Sequence, residues 1–254
     1  MILPVAPSFH LNGKNALVAG ASSGIGMAAG VALAKAGASV TLVARRQAPL
    51  NEIVDSLRAE GATATAKVLD ITDLQATDSF LAASQPFDIL VNCAGLARHA
   101  PAVDTNPDDF DAVLDINLRA AYFLSRGVAR RLISLNRPGS LINISSQMGH
   151  VGGPDRTIYC ASKHALEGMT KAMALEWGKH GIRINTISPT FIRTPLTEAS
   201  FADPKRRAWI ESNIVLGRVG TVEDIMGPVV FLASDSAALI TGTSLVVDGG
   251  WTAH

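Results

Sequence analysis

Gly20-Ala21-Ser22-Ser23-Gly24-Ile25-Gly26 lies directly after the apolar run Ala16 to Ala19 and directly before the helical pattern Met27 to Lys35. Its spacing is GxxxGxG. Glycines placed this way permit a tight turn and let the main chain approach a pyrophosphate. They also set a helix N-terminus, with free N–H groups and partial positive charge, against the phosphates. The alternative is a turn that merely joins strand to helix, but the first strand/helix junction is where a dinucleotide loop belongs.

Working outward, the same kind of apolar run recurs at Val40 to Val43, Ala66 to Leu69, Ile89 to Val91, Leu141 to Ile144, Ile184 to Ile187 and Leu245 to Val247. These runs lack in/out alternation, so both faces of the sheet they form should be covered. That favours a parallel sheet with crossover helices, an α/β fold. Asn106-Pro107 predicts a capped helix whose stripe is Phe110, Val113, Leu114, Asn117, Ala121 and Leu124. Asn117 is the polar member of that stripe. A second long helix is predicted from Thr157 to Lys179, striped by Leu166, Met169, Thr170 and Met173, with Gly181 beyond its end. Residues 190–220 break the rhythm, and a mobile flap over a site is their natural use. No linker divides the chain, so one domain, 1–254, is expected.

At 48% hydrophobic and 17% charged, the 254 residues describe a globular protein rather than a disordered one. Lys+Arg and Asp+Glu balance at 22 each, which argues against nucleic acid or an anionic membrane as partner. Cys93 and Cys160 form no ligand pattern, so no metal is expected. Met1 to Gly13 is unlike an export signal, and a reduced, cytoplasmic protein is the expectation.

The second strand ends Leu42-Val43-Ala44-Arg45-Arg46. About 20 residues past the glycines an NAD site carries an acid for the ribose hydroxyls, whereas an NADP site offers arginine to the 2′-phosphate. Ala44 occupies the acidic position, and Arg45 and Arg46 would supply bidentate donors. The alternative is two solvated arginines. NADP(H) is therefore favoured, with NAD(H) the other option.

Tyr159 and Lys163, four apart, share a helix face. A phenol of pKa about 10 is a poor base at neutral pH, and a nearby cation favours its phenolate. YxxxK alone is more often a surface pair. Two other features add to it. Asn143-Ile144-Ser145-Ser146 delivers hydroxyls to the carboxyl end of a strand, where such sheets bind ligands, although a turn or cap serine is the plainer reading. Asn117 places an amide on an apolar face, where it needs hydrogen bonds from a cap or from a water relay.

Together these residues resemble the short-chain dehydrogenase/reductase family, in its branch of roughly 250 residues, over nearly the whole chain. Gly20, Ser22, Ser23, Gly24, Ile25 and Gly26 resemble its cofactor loop. Asp70 with Ile71 resembles its adenine-side acid, and Asn92-Cys93-Ala94-Gly95 its Asn-Asn-Ala-Gly segment. Asn117, Ser146, Tyr159 and Lys163 resemble its catalytic four; the spacing to tyrosine selects Ser146 over Ser145. Pro189, Ile192 and Thr194 resemble its nicotinamide-side segment. The resemblance implies one doubly wound, Rossmann-type domain with seven parallel strands, usually in a homotetramer.

It also implies hydride exchange between nicotinamide and a carbonyl/alcohol pair. Ser146 would polarise the carbonyl and Tyr159 move the proton. Lys163 would hold the ribose and lower the tyrosine pKa, and Asn117 would anchor a relay water. Ala19, Cys93, Thr190 and Ser23 depart from the family pattern, and at Ser23 many NADP-using members carry a basic residue. The implied pocket walls are Leu96, Arg98 and His99, then Gln147, Met148, His150 and Val151, then Phe191, Leu196, Phe201 and Trp209. They suit a small polar substrate, namely a polyol, sugar or sugar acid. The rivals are a 3-oxoacyl thioester reductase and a non-catalytic dinucleotide sensor or scaffold.

Overall fold

The computed structural model describes residues 1–253, so His254, the last position of the expected domain, lies outside the described residues. Seven strands, β1 (Asn15–Ala19), β2 (Ser39–Ala44), β3 (Ala64–Val68), β4 (Ile89–Asn92), β5 (Gly139–Ile144), β6 (Ile182–Pro189) and β7 (Ser244–Val247), form one sheet. Its order is β3-β2-β1-β4-β5-β6-β7, with every neighbouring pair parallel. The helices are α1 (Gly24–Lys35), α2 (Gln47–Ala59), α3 (Leu74–Ala83), α4 (Pro107–Leu114), α5 (Ala121–Ser134), α6 (Thr157–Trp177), α7 (Glu198–Ala202), α8 (Pro204–Asn213) and α9 (Glu223–Ala233). This is the expected doubly wound α/β architecture.

The strands read as unbroken apolar runs because successive residues enter opposite cores. Ala16 and Val18 of β1, Ile89 and Val91 of β4, and Ile142 and Ile144 of β5 pack with α1, α2 and α9. Leu17 and Ala19, Leu90, and Leu141 pack with α5 and α6 on the other side. From β1 the chain winds outward to β3, returns to β4 beside β1, and winds the other way. The reversal leaves a crevice past the carboxyl ends of β1 and β4.

Asn106 caps α4, its Oδ1 accepting from Asp109 N–H at 2.8 Å, with Pro107 at the first helical position. The expected single stripe is interrupted. Phe110 is exposed, and a π-helical turn, Asp115–Ala120, joins α4 to α5. Such a turn holds one residue more than an α-turn, so the faces on either side of it are out of phase. Val113, Asn117, Ala121 and Leu124 remain buried. The α6 helix stops at Trp177 and tightens into a 3-10 turn, Gly178–His180, short of the predicted Lys179. Gly181, at φ +71°, supplies the left-handed residue that ends it.

Within residues 190–220, α7 and α8 bracket a third, separate core. Ile210, Ile214 and Val219 pack there with Phe191 and Trp251, and Phe201 covers them.

Candidate active site

The glycine loop is fixed by close approaches. Gly20 has φ +75°, and a Cβ there would lie 2.7 Å from Ala94 N, against the end of β4. A Cβ on Gly26 would run into the carbonyl oxygen of Gly20. The loop opens onto α1, whose N-cap Ser23 makes no side-chain cap and whose first turn holds no acid. Its leading N–H groups therefore face the cleft free of any carboxylate, the donor set a diphosphate requires.

Past β2, Arg46 Nη2 donates to Ser22 Oγ at 3.0 Å and to Ser23 Oγ at 3.2 Å. Arg45 leans the other way, with Nη1 3.7 Å from Asp70 Oδ2. Asp70 Oδ1 accepts from the Thr72 N–H at 3.0 Å and its hydroxyl at 2.8 Å. Burial pushes this carboxyl up, but the Thr72 bonds and Arg45 outweigh it and hold its pKa below the usual value. Ile71 is buried beside it.

Asn92 stands behind the cleft. Its Oδ1 accepts from Ala94 N at 3.2 Å and its Nδ2 donates to Asn143 Oδ1 at 3.2 Å, which shapes the Cys93-Ala94-Gly95 turn. Burial drives the Cys93 thiol up to about 12 despite nearby Lys163, so it is an inert wall.

The N-terminal turns of α6 bring Tyr159 and Lys163 to the end of β5, where Ser145 and Ser146 lie. Lys163 is buried; its Nζ donates to Ile144 O at 2.9 Å and lies 5.6 Å from the Tyr159 ring centroid. Burial pulls its pKa down to about 8, with Glu167 and Cys93 pulling back. The phenol of Tyr159 is raised by burial, while the Ser146 hydroxyl and the Arg156 charge act against that. The Arg156 charge thus favours the phenolate from one side, while the Lys163 ammonium faces the same ring from another. Ser146, rather than Ser145, is the hydroxyl set against Tyr159. The Ser145 Oγ is buried without a partner.

Asn117 meets its need for hydrogen bonds through structure. Its Oδ1 accepts from Leu96 N at 2.8 Å, and its Nδ2 donates to Leu96 O at 2.9 Å and Ser162 Oγ at 3.0 Å. The amide ties the π-turn to the β4 end and to α6, leaving no side-chain donor for a relay water.

One cleft of about 440 Å³ gathers the predicted residues: Gly20, Ser22 to Gly26, Arg45, Arg46, Asp70, Ile71, Ala94, Gly95, Ser146, Tyr159, Lys163, Pro189, Ile192 and Thr194. Asn92 and Asn117 stand outside its lining. Of the expected pocket walls, His150 is drawn elsewhere, its Nε2 bonded to Ser188 and Ser244 near buried Glu167. Arg98 pairs with Asp109 at 3.5 Å in an exposed bridge. Sequence reasoning missed Arg156 and Glu167. Arg156 reads as a solvated charge just ahead of a helix, and Glu167 as an ordinary helical carboxylate. Four residues after Lys163, Glu167 offers only the i,i+4 spacing as a signal.

The fold and cleft define a Rossmann-type, dinucleotide-dependent oxidoreductase. Residues 20–252 match the family model described as Enoyl-(Acyl carrier protein) reductase. The chain belongs to the short-chain dehydrogenase/reductase family. It is 39% identical over 245 residues to the D-erythrulose reductase of Gallus gallus, covering 96% of this chain and 98% of that one. A solved structure from Agrobacterium tumefaciens, described as a candidate 2-deoxy-D-gluconate 3-dehydrogenase with bound NADP, superposes with TM-score 0.92 at 44% identity, covering 97% and 99% of the two chains. A gluconate 5-dehydrogenase from Burkholderia cenocepacia, in complex with NADP and tartrate, gives TM-score 0.92 at 34% identity, covering 97% and 98%.

Proposed function

We propose that this protein interconverts a secondary alcohol and a ketone on a small polar substrate, a polyol, sugar or sugar acid, with NADP(H) as the favoured nicotinamide. The observation that carries the reading is the convergence of Ser146, Tyr159 and Lys163 on the cleft that the glycine loop opens. The dinucleotide, when bound, supplies or accepts the hydride. The N–H groups of α1 would hold its diphosphate, Asp70 and Ile71 would border its adenine, and Arg46 with Ser22 and Ser23 would take a 2′-phosphate, with Arg45 beside them. Pro189, Ile192, Thr194, Ala94 and Gly95 would flank the nicotinamide half.

Ser146 would donate to the substrate carbonyl oxygen. Tyr159 would pass its proton to the alkoxide as that forms, and take it back in the oxidative direction. Lys163 serves as the buried cation that makes the phenolate tolerable, and Asn117 as the tie that holds the π-turn against α6. The relatives' names, a D-erythrulose reductase and a gluconate 5-dehydrogenase, support the substrate class. The 3-oxoacyl thioester rival needs a basic face for a carrier protein, which the balanced charge does not favour. A sensor or scaffold has no use for the acid/base residues retained here.

We further propose a single catalytic domain with residues 190–220 as the substrate flap, and assembly as a homotetramer in the cytoplasm. Leu118, Tyr122, Phe123, Met169 and Trp177 border an apolar groove between α5 and α6, which supports assembly through that face. Light scattering in solution tests it. The unpaired Cys93 and Cys160 suit a reducing compartment. The function is tested by following nicotinamide absorbance with a panel of sugars, polyols, sugar acids and 3-oxoacyl esters with both cofactors. Turnover of the polar panel is the expected result; turnover of the acyl esters alone would replace the reading with its rival.

A further inference from the structure

Behind Tyr159, just outside the residues that line the cleft, sits a positive charge that forms no ion pair among the described residues. Arg156 stands at the N-cap of α6 and is only 6% exposed. Its Nη1 lies 2.9 Å from His99 Nε2, and its guanidinium carbon lies 5.2 Å from the Phe191 ring centroid. Its Nη2 is shielded from water and has no hydrogen-bond partner. Among the described residues Arg156 forms no ion pair, and neither does Arg206 of α8, whose charge acts on both Arg156 and His99. Asp155 opposes them only weakly, its pull on each ranking last. The first turn of α6, without a side-chain cap, adds its partial positive charge at the same place.

A guanidinium has donors and no acceptor, so neither an aromatic face nor a single imidazole nitrogen satisfies it. Buried without a counter-charge and beside a second guanidinium, it is strained electrostatically until an anion arrives. His99 completes the arrangement. Because Arg156 can only donate, His99 Nε2 must accept, so the neutral ring carries its proton on Nδ1. Burial first, then Arg156 and Arg206, push the ring's pKa down to about 4, which keeps it neutral in the physiological range. His99 thus orients Arg156 without competing for the anion. Its ring also lies edge-on to Tyr159, with centroids 6.4 Å apart, which puts the cationic group beside the reacting end of the cleft.

We infer that Arg156, oriented by His99 and backed by Arg206, is a carboxylate subsite, and that the substrate is accordingly a sugar acid rather than a neutral polyol. The planar fork matches a carboxylate bidentately, and burial makes such a charge-assisted pair strong. This inference rests on the alcohol/ketone reading above.

The test pairs each four- to six-carbon aldonate with its matching alditol, for example D-gluconate with D-glucitol, and includes the corresponding sugar phosphates. Wild type should prefer the aldonate. In Arg156→Leu the ratio of kcat/KM for aldonate over alditol should fall on the order of a hundredfold, carried by KM, and Arg156→Lys should restore part of it. Calorimetric titration of wild type and both variants with gluconate and glucitol gives a readout independent of turnover, and thermal melts check that the variants fold. If Arg156→Leu does not fold, the Arg156→Lys ratio and the wild-type calorimetry decide. An unchanged ratio, a wild-type preference for alditols or for sugar phosphates, or the absence of any aldonate binding overturns the subsite. Failure of every alcohol and ketone to turn over would instead overturn the parent reading, and aldonate binding lost in Arg156→Leu would still support the subsite.

Discussion

The two ends of the cleft work by different means. The glycine-loop end acts through main chain: N–H groups at the start of α1, a turn admissible only without Cβ atoms, and exposed arginines laid over it. The Tyr159 end acts through buried side chains whose ionisation is set first by that burial and then by neighbours on α6 and at the ends of β4 and β5. The difference teaches that binding and chemistry in this protein should fail separately, since neither end supports the other's electrostatics.

The largest expected effect comes from Tyr159→Phe, which removes the proton donor. Turnover should fall by about 10²- to 10⁴-fold while fluorescence titration of NADPH is unaltered. Retained turnover would break the division at its centre. The reverse experiment is Gly26→Ala, whose added methyl meets the Gly20 carbonyl oxygen, a backbone atom with little room to move. Distortion worth about 1–3 kcal/mol should weaken NADPH binding by roughly tenfold or more and lower the melting temperature. Normal affinity would show that the loop is looser than its contacts imply.

Next in size is a pH effect confined to the Tyr159 end. With Lys163 at about 8 in the folded chain, below the ordinary lysine value of 10.5, its ammonium is lost as pH rises through about 8. The kcat/KM profile for ketone reduction should decline there. Glu167→Gln removes the carboxylate that holds this proton, so the declining limb should move to lower pH; movement the other way refutes the coupling. The sign for stability is opposite. Between the folded and unfolded values the unfolded chain binds more protons at this lysine, so its contribution to stability rises with pH. The smallest effect belongs to exposed charge. Arg46→Ala should reduce the NADPH/NADH preference by about tenfold and Arg45→Ala by about threefold, as expected of solvent-screened partners. Equal losses would place both guanidiniums on the phosphate.

Legibility in the sequence follows the same division. Each apolar run became a strand, the central ones because a strand covered on both faces leaves an unbroken signature and the half-covered edges β3 and β7 by their pairing to them. The glycine loop is local, so its spacing is its structure. Tyr159, Lys163 and Ser146 were visible as types and spacings. What was hidden depended on convergence. Arg156 is buried beside Phe191 and His99, which arrive from other parts of the chain, and the upward shift of Tyr159 follows from burial of its own ring. Asn117 stood out as a polar residue on an apolar stripe, yet which atoms it binds depended on a π-turn that a 3.6-residue period cannot register.

That turn also constrains how the protein can vary in length. Losing one residue between 115 and 120 would close the π-turn to an α-turn and leave the helix after it nearly in phase, whereas losing one from α4 would swing everything after it by about 100° about its axis. Leu124, Val128 and Leu132, now seated on the sheet, would rotate out of their sockets together. A surface loop absorbs a gained or lost residue, and the π-turn can absorb a lost one, but the regular turns of α4 and α5 transmit it, so the spacing within each is as much a specification of the fold as any side chain in it.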